Sequence, residues 1–510
     1  MSALSNPLPA GPRRGASLAL LVFSLIVTIS AFAQVGLSRD GTLPRGMFGY
    51  GIAIVVLAGA AFYVVARWAP YSDPLLLPLA MFLNGIGLAM IYRIDQKTAP
   101  DYKAVEAAYK ASHPGQRYVP FGAGSSANTQ LLWTVLGIAL FIGAVLLLRE
   151  IKILQRYHYT LGALGLIFLV APLFFPAING SKVWITVGSF QIQPAEFSKF
   201  ALVAFFAGYL VKKRQALSLV GRKVGFLELP RARDLFPILI FWVISLAILG
   251  IQNDFGTALL FFGLFVSMLY LATGRASWVI IGLSLFMGGA LLLFLAAEAI
   301  GGPLSHVTQR VDIWLNPEPF FNGGCALPNG TIKSMDGVSN AFGACLKLGG
   351  DYSDSAQLMQ GLFAMGQGGV LGTGLGQGQP YITPLAFSDE IFTSLGEELG
   401  LAGLMAILLV YALIVQRGMK TAIAARDPFA KLFAGGVSFV FALQVFAIVG
   451  GVTRLIPFTG LTTPFMAQGG SSLLANWILI AMLIRLSDQA RRPAPQSIQD
   501  EGLTQVVSTR

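Results

Sequence analysis

The chain has 510 residues, of which 55% are hydrophobic and 12% charged, with a formal net charge of +11 and a mean hydropathy of +0.69. This composition excludes an ordinary water-soluble domain. The basic residues are scattered between apolar runs, so the charge gives no reason to invoke nucleic acid.

Crossing a hydrocarbon core takes ~20 mostly apolar residues. Such runs recur at 16–34, 46–67, 74–92, 130–148, 159–176 and 195–211, and again at 235–251, 255–272, 276–297, 396–416, 431–451 and 465–486. The short runs 159–176 and 235–251 are open to a re-entrant reading, so ten to twelve transmembrane helices are expected. The fold class is an all-α polytopic membrane protein with a large extracytoplasmic loop. The first run follows Arg13 and Arg14 and resembles a signal peptide, but it lacks a persuasive small-residue cleavage site and reads as a retained helix. Residues 1–15 form an N-terminal tail and 16–490 the membrane domain. Residues 491–510, polar and with two prolines, form a disordered C-terminal tail.

Lys and Arg in short connections mark the cytoplasmic side. They are concentrated at 149–156, 212–234, 417–431 and 485–492. With twelve spans these connections share one side, which makes both termini cytoplasmic and puts 298–395 outside. The segment 93–129, of mixed charge, is a second outside loop with some helical content.

The 298–395 segment breaks the apolar pattern. It runs through QRVDIWLNPEPFFNGG, a Gly- and Ser-rich excursion, GGDYSDSAQLMQGLFAMGQGGVLGTGLGQGQP and FSDEIFTSLGEELGL. Loops this long are usually functional or disordered, and this one has aromatics and regularly placed apolar residues, so it is expected to fold. It holds the two cysteines, Cys325 and Cys345. Outside the cytosol these are expected to pair and staple the excursion.

Ionisable groups near a membrane are functional candidates. Glu196 and Lys199 stand at i,i+3 in a helix opened by Pro194, and can face each other. The helix dipole suits Glu196 but not Lys199, which favours a function for the pair. Asp254 reads as an N-cap. Asp389, Glu390, Glu397 and Glu398 flank the tenth span, as caps or facing a polar cavity. Arg454 closes the eleventh, and Gly469-Gly470-Ser471-Ser472 permits close backbone approach. GTGLGQG follows no strand and is not read as a nucleotide loop.

The segments NGSKVWI, GSFQIQPAEFSKFALV, QNDFGTALL, GQGGVLGTGLGQGQP, SDEIFTSLGEELGLAGL and RLIPFTGLTTPFMAQGGSSLLAN resemble, in order, signatures of the FtsW/RodA/SpoVE (SEDS) family. The resemblance implies a peptidoglycan glycosyltransferase that polymerises lipid II outside the cytoplasmic membrane, for cell elongation or division, with a class B penicillin-binding transpeptidase. It does not choose between the elongation and division branches, and the family often has ten spans.

The family's catalytic Asp is expected in a loop motif resembling NPWxDPxGxGYQxxQ. Here the motif opens at Asn316-Pro317, the excursion interrupts it, and Gln357 and Gln360 stand as its closing glutamines. This alignment points to Asp351, one residue out of register, with Asp354 as runner-up. Glu196, Lys199, Arg310, Asp389 and Arg454 carry over as cavity residues, with Lys199, Arg310 and Arg454 as diphosphate ligands. A divalent cation, Mg or Mn, is left open.

The reaction itself sets requirements. A sugar hydroxyl attacks an anomeric carbon and a polyprenyl diphosphate leaves. A carboxylate base would take the hydroxyl proton, and cations would stabilise the leaving charge. The alternatives are a flippase for the lipid-linked precursor, which should place charges on broken helices at the midplane, and a structural scaffold needing no polar cavity.

If Cys325 and Cys345 are paired, thiol labelling of the unreduced, denatured protein will find no free thiol; two labelled thiols would contradict the pairing.

Overall fold

The computed structural model describes residues 13–96, 126–148, 150–176, 181–187, 190–218, 222–224, 227–229, 232–300, 305–321, 323–326, 332–334, 351–353 and 355–493. The 491–510 tail beyond residue 493 and most of the 93–129 loop lie outside the described residues.

Each of the apolar runs is occupied by a helix. In chain order these are α1 (Arg14–Asp40), α2 (Arg45–Trp68), α3 (Leu76–Asp95) and α4 (Ser126–Leu147), then, after the short α5 (Lys152–Arg156), α6 (His158–Val170), α7 (Ala195–Ser218), α8 (Ala232–Ile251), α9 (Phe255–Thr273) and α10 (Ser277–Ile300). Two helices of the long connection follow, α11 (Ser305–Leu315) and α12 (Ala356–Gly368), and then α13 (Ile391–Ala424), α14 (Pro428–Val452) and α15 (Gly470–Arg491). Among the described residues, 9 helices are long and apolar enough to cross a membrane. The stretches His158–Phe174 and Trp242–Ile251 are shorter, and these are the two runs left open to a re-entrant reading. The strands are three residues each and confined to connections: the hairpins β1–β2 (Ile185–Val187, Phe190–Ile192) and β3–β4 (Arg222–Val224, Leu227–Leu229), and a sheet of order β6-β5-β7 (Ile332–Ser334, Gly324–Ala326, Asp351–Ser353).

The helices α3 and α15 are buried along nearly their whole length, whereas α10 is almost entirely exposed. Its Leu283, Leu291 and Leu292 are exposed. A helix apolar on every side is stable only where its surroundings are apolar.

The centre is close-packed around glycines. A Cβ on Gly87 of α3 would lie 2.4 Å from the Met466 Cα, and one on Gly137 of α4 would lie 2.6 Å from the Trp477 ring. Trp477 Nε1 donates to Asn84 Oδ1 (3.2 Å), and Asn84 Nδ2 donates to Thr134 Oγ1 (3.2 Å). These bonds join α15, α3 and α4 by polar groups that have no water to turn to.

The two ends of the bundle are fixed by different contacts. At one, Asp73 meets Arg491, and Tyr71 N–H donates to Asp488 Oδ1 (2.9 Å). Arg485 donates there to the carbonyls that end α2 and α4, Trp68 O (2.8 Å) and Leu148 O (3.1 Å), supplying partners that helix ends lack. At the other end, Arg93 at the close of α3 meets the start of α13. The basic connections belong to the first end.

The tenth run departs from expectation. Its helix begins at Ile391 rather than 396 and is broken at Gly400, which has φ 67° and ψ −174°. Leu401 N–H and Ala402 N–H donate to Gly369 O (2.9 Å) and Val370 O (3.0 Å) of the preceding loop. Hydropathy does not register the break, because Gly400 stands between Leu399 and Leu401 at the edge of an apolar run.

Because the neighbour of Gly87 is backbone, Gly87→Ala forces a shift of the 463–467 turn. Overpacking of this kind costs ~1–3 kcal/mol, so the detergent-solubilised protein is expected to melt several degrees lower. An unchanged melting temperature would contradict this packing.

Candidate functional site

The long connection is built on α11. After it, a short 3-10 turn (Glu318–Phe320) buries Phe320, and the chain leaves on its excursion. It returns to the same place: Ser355 N–H donates to Phe320 O (3.0 Å) and Ser355 Oγ to Pro317 O (2.7 Å). The excursion is therefore closed at its base, and α12 starts beside Asn316-Pro317. Strand β7 lies antiparallel to β5, with Asp351 opposite Ala326, and packs against α11. Asp354 and Cys345 lie outside the described residues, and with them the runner-up carboxylate and the Cys325–Cys345 pairing.

The sequence-derived residues of α7 converge with two other elements. Lys199 Nζ lies 2.6 Å from Glu196 Oε2 and donates to Gln444 Oε1 of α14 (2.9 Å). Gln444 Nε2 donates in turn to Thr462 O (2.9 Å), and Gln193 N–H donates to Ser471 Oγ (2.8 Å) at the start of α15. Lys199 is 1% exposed, so it does not reach out to water. It is turned inward onto the carboxylate one turn back, which resolves the mismatch with the dipole. Asp254 caps α9, its Oδ1 accepting from Thr257 N–H (3.0 Å), as read from the sequence. Burial raises the pKa of Asp254, opposed by the bond from Thr257 and by the Arg310 charge, while Glu196 pushes in the same direction as burial. Burial lowers that of Arg310, opposed by Asp254. Glu196 thus pairs with Lys199 by direct contact, and Arg310 lies within the field of Asp254.

The Gly-rich loop does its work on α13. Glu397 Oε1 accepts from Gln379 N–H (2.6 Å), and Glu398 Oε2 accepts from Gly376 N–H (2.9 Å). Thr373 N–H and Gly374 N–H donate to the backbone carbonyls of Glu397 and Glu398, each at 2.9 Å. Arg93 lies 2.9 Å from Glu398 Oε1 and donates to Gly378 O (2.7 Å). Gly372, at φ +82°, could not carry a Cβ without meeting Glu398 O at 2.3 Å. GTGLGQG is thus a strap that covers the break in α13. Arg93 and Gln444 were not singled out from the sequence; each is a lone polar group in or at the end of an apolar run, which is the signal that could have found them.

Just before α13, burial pushes Asp389 up to about 7 and Glu390 up to about 8, the latter reinforced by the Asp389 charge and opposed by bonds from Thr393 and Gln357. Arg454 stands apart at the C-terminal end of α11, donating to Trp314 O (2.7 Å) and Leu315 O (2.6 Å). Arg310 Nη1 donates to Phe458 O (3.4 Å), so the three cations expected to meet a diphosphate, Lys199, Arg310 and Arg454, are all engaged by protein groups. Among the described residues no three His, Cys, Asp or Glu side chains gather as metal ligands.

The FtsW/RodA/SpoVE family, described as cell cycle proteins, matches residues 109–332 and 338–492. The peptidoglycan glycosyltransferase RodA of Mycobacterium tuberculosis is 44% identical over 495 residues, covering 96% of this chain and 93% of the relative. Stage V sporulation protein E of Bacillus subtilis is 30% identical over 429 residues, covering 82% and 98%. Among solved structures, a single-substitution mutant of the Thermus thermophilus rod shape determining protein RodA is 18% identical, covers 83% of this chain and 99% of its own, and superposes with a TM-score of 0.47. The chain, a multi-pass membrane protein, belongs to the FtsW/RodA/SpoVE family.

Proposed function

We propose that this protein is a peptidoglycan glycosyltransferase that polymerises lipid II at the outer face of the cytoplasmic membrane. The observation that carries this reading is its 44% identity, over nearly its whole length, with proteins named peptidoglycan glycosyltransferase RodA. The acceptor hydroxyl attacks the anomeric carbon of the lipid-linked sugar as the polyprenyl diphosphate departs. Asp351, on β7 against α11, is the proposed base for that hydroxyl. Because Lys199 is held by Glu196 and Gln444 and Arg310 donates to Phe458 O, a bound diphosphate competes with protein groups for them rather than filling a vacant cationic site. A class B penicillin-binding transpeptidase is the proposed partner, on the family resemblance.

A flippase is favoured by one observation, the helix broken at Gly400 beside two carboxylates. Against it, Glu397 and Glu398 are bonded to the strap and to Arg93, so the break presents no open ion site of the kind transporters use.

The proposed orientation puts the 212–234 and 417–431 connections in the cytoplasm. Cysteines introduced at Ser218 and Arg426 are expected to resist an impermeant thiol reagent added to intact cells, whereas one at Ser334 reacts. Labelling of the first two to the same extent as Ser334→Cys would reverse the orientation and place Asp351 on the wrong side. Gly418 is unsuitable for this test, since a Cβ there would lie 2.0 Å from Ser438 Oγ.

Asp351→Asn keeps the shape of the side chain but cannot take a proton. A single positioned base contributes ~10²–10⁴-fold, so lipid II polymerisation by the reconstituted variant is expected to fall by that factor while insertion is normal. Activity retained by Asp351→Asn and lost by Asp354→Asn would move the base to Asp354. Activity retained by both would remove the base from this loop segment.

A further inference from the structure

We infer that Arg454 is a positioning residue that fixes helix α11, and through it the strand carrying Asp351, rather than a ligand of the substrate's diphosphate. The kinetic part of this inference rests on the glycosyltransferase reading above.

Arg454 follows α14 with φ +62°, a left-handed conformation that residues other than glycine rarely adopt. Such backbone persists only where its surroundings over-determine it, and it gathers at functional positions. Here Arg454 N–H donates to Gly451 O (3.2 Å), while Leu455 N–H (2.7 Å) and Ile456 N–H (3.0 Å) both donate to Gly450 O.

The turn delivers the side chain to the end of α11. Nε donates to Trp314 O (2.7 Å) and Nη2 to Leu315 O (2.6 Å). Trp314 Nε1 donates back to Arg454 O (3.1 Å). The last carbonyls of a helix have no partner within it, and a cation at that end is favoured by the dipole. The fixed fork of a guanidinium spans two successive carbonyls; a lysine ammonium presents one compact charge and cannot reproduce the fork.

The same connection grips α11 a second time, where Arg310 Nη1 donates to Phe458 O (3.4 Å) and its guanidinium sits 5.4 Å from the Phe255 ring centroid. Helix α11 carries β7 on its flank. The reciprocal lock with Trp314 is what a positioning role requires, and it occupies two of the donors that a diphosphate would need.

The test compares Arg454→Gly and Arg454→Lys with the wild type. Glycine tolerates the positive φ, so the first variant removes the side chain and keeps the turn. The second keeps the charge and loses the fork. Hydrogen exchange should show amides 312–316 of α11 opening at least about tenfold more readily in both variants, as a helix end without its cap exchanges locally. Unchanged exchange in both overturns the inference whatever the enzymatic activity.

In lipid II polymerisation, kcat should fall about tenfold or more in both variants with KM within about twofold, the signature of an interaction that does not hold the ground-state substrate. Trp314→Phe should reproduce part of the loss and add nothing to Arg454→Gly, as for two groups of one contact. A raised KM in Arg454→Gly that Arg454→Lys restores would overturn the inference in favour of a diphosphate ligand. If the wild type itself makes no polymer, the glycosyltransferase reading falls, and the exchange comparison decides the role of Arg454 alone.

Discussion

Charge drawn into an apolar bundle must be neutralised there, because the desolvation of an unpaired ion costs several kcal/mol. In this protein the neutralising partners come from elements far apart in the chain. Arg93 of α3 meets Glu398 of α13, and Asp73 meets Arg491. These pairs hold the ends of helices whose flanks are mostly apolar. A buried pair is weak evidence for stability in itself, since an apolar replacement is often neutral. Its contribution here is to fix which ends meet.

The long connection between α10 and α13 is arranged around these paired ends. Backbone N–H groups of the strap and of Gln379 just after it donate to Glu398 and Glu397, so the carboxylates hold the Gly-rich loop rather than a ligand. The strap in turn is reached by Ser38 at the end of α1, whose Oγ donates to Leu375 O (2.7 Å). Loop, helix break and N-terminal helix thus form one continuous support. Beside it, α11, the base of the excursion and α12 form a second, tied together at Ser355. Both supports tie loop backbone to side-chain oxygens, those of Ser38, Glu397 and Glu398 in the first and of Ser355 in the second.

The membrane fold was legible in the sequence because a lipid environment demands long apolar runs, and every such run is a helix. The inward pairing of Glu196 and Lys199 was legible from an i,i+3 spacing, and the Asp254 cap from its place before FGTALL. What escaped were contacts between distant positions. Nothing in the spacing of Arg93 and Glu398 announces a pair, and the break at Gly400 is hidden between apolar residues. The charge of Arg454 suits an anion or a helix-end carbonyl equally well; only the geometry shows it meeting Trp314 O and Leu315 O. The disulfide stayed undecided because Cys345 lies outside the described residues.

The central claim is that this bundle joins lipid-linked sugars rather than moving them across the membrane. It is tested most directly by reconstituting the purified protein with a class B transpeptidase in liposomes that carry fluorescent lipid II on both leaflets. The account predicts glycan strands of many units, formed from the lipid II exposed on the outer side of the protein. Lipid II that exchanges between leaflets and is never polymerised would contradict it.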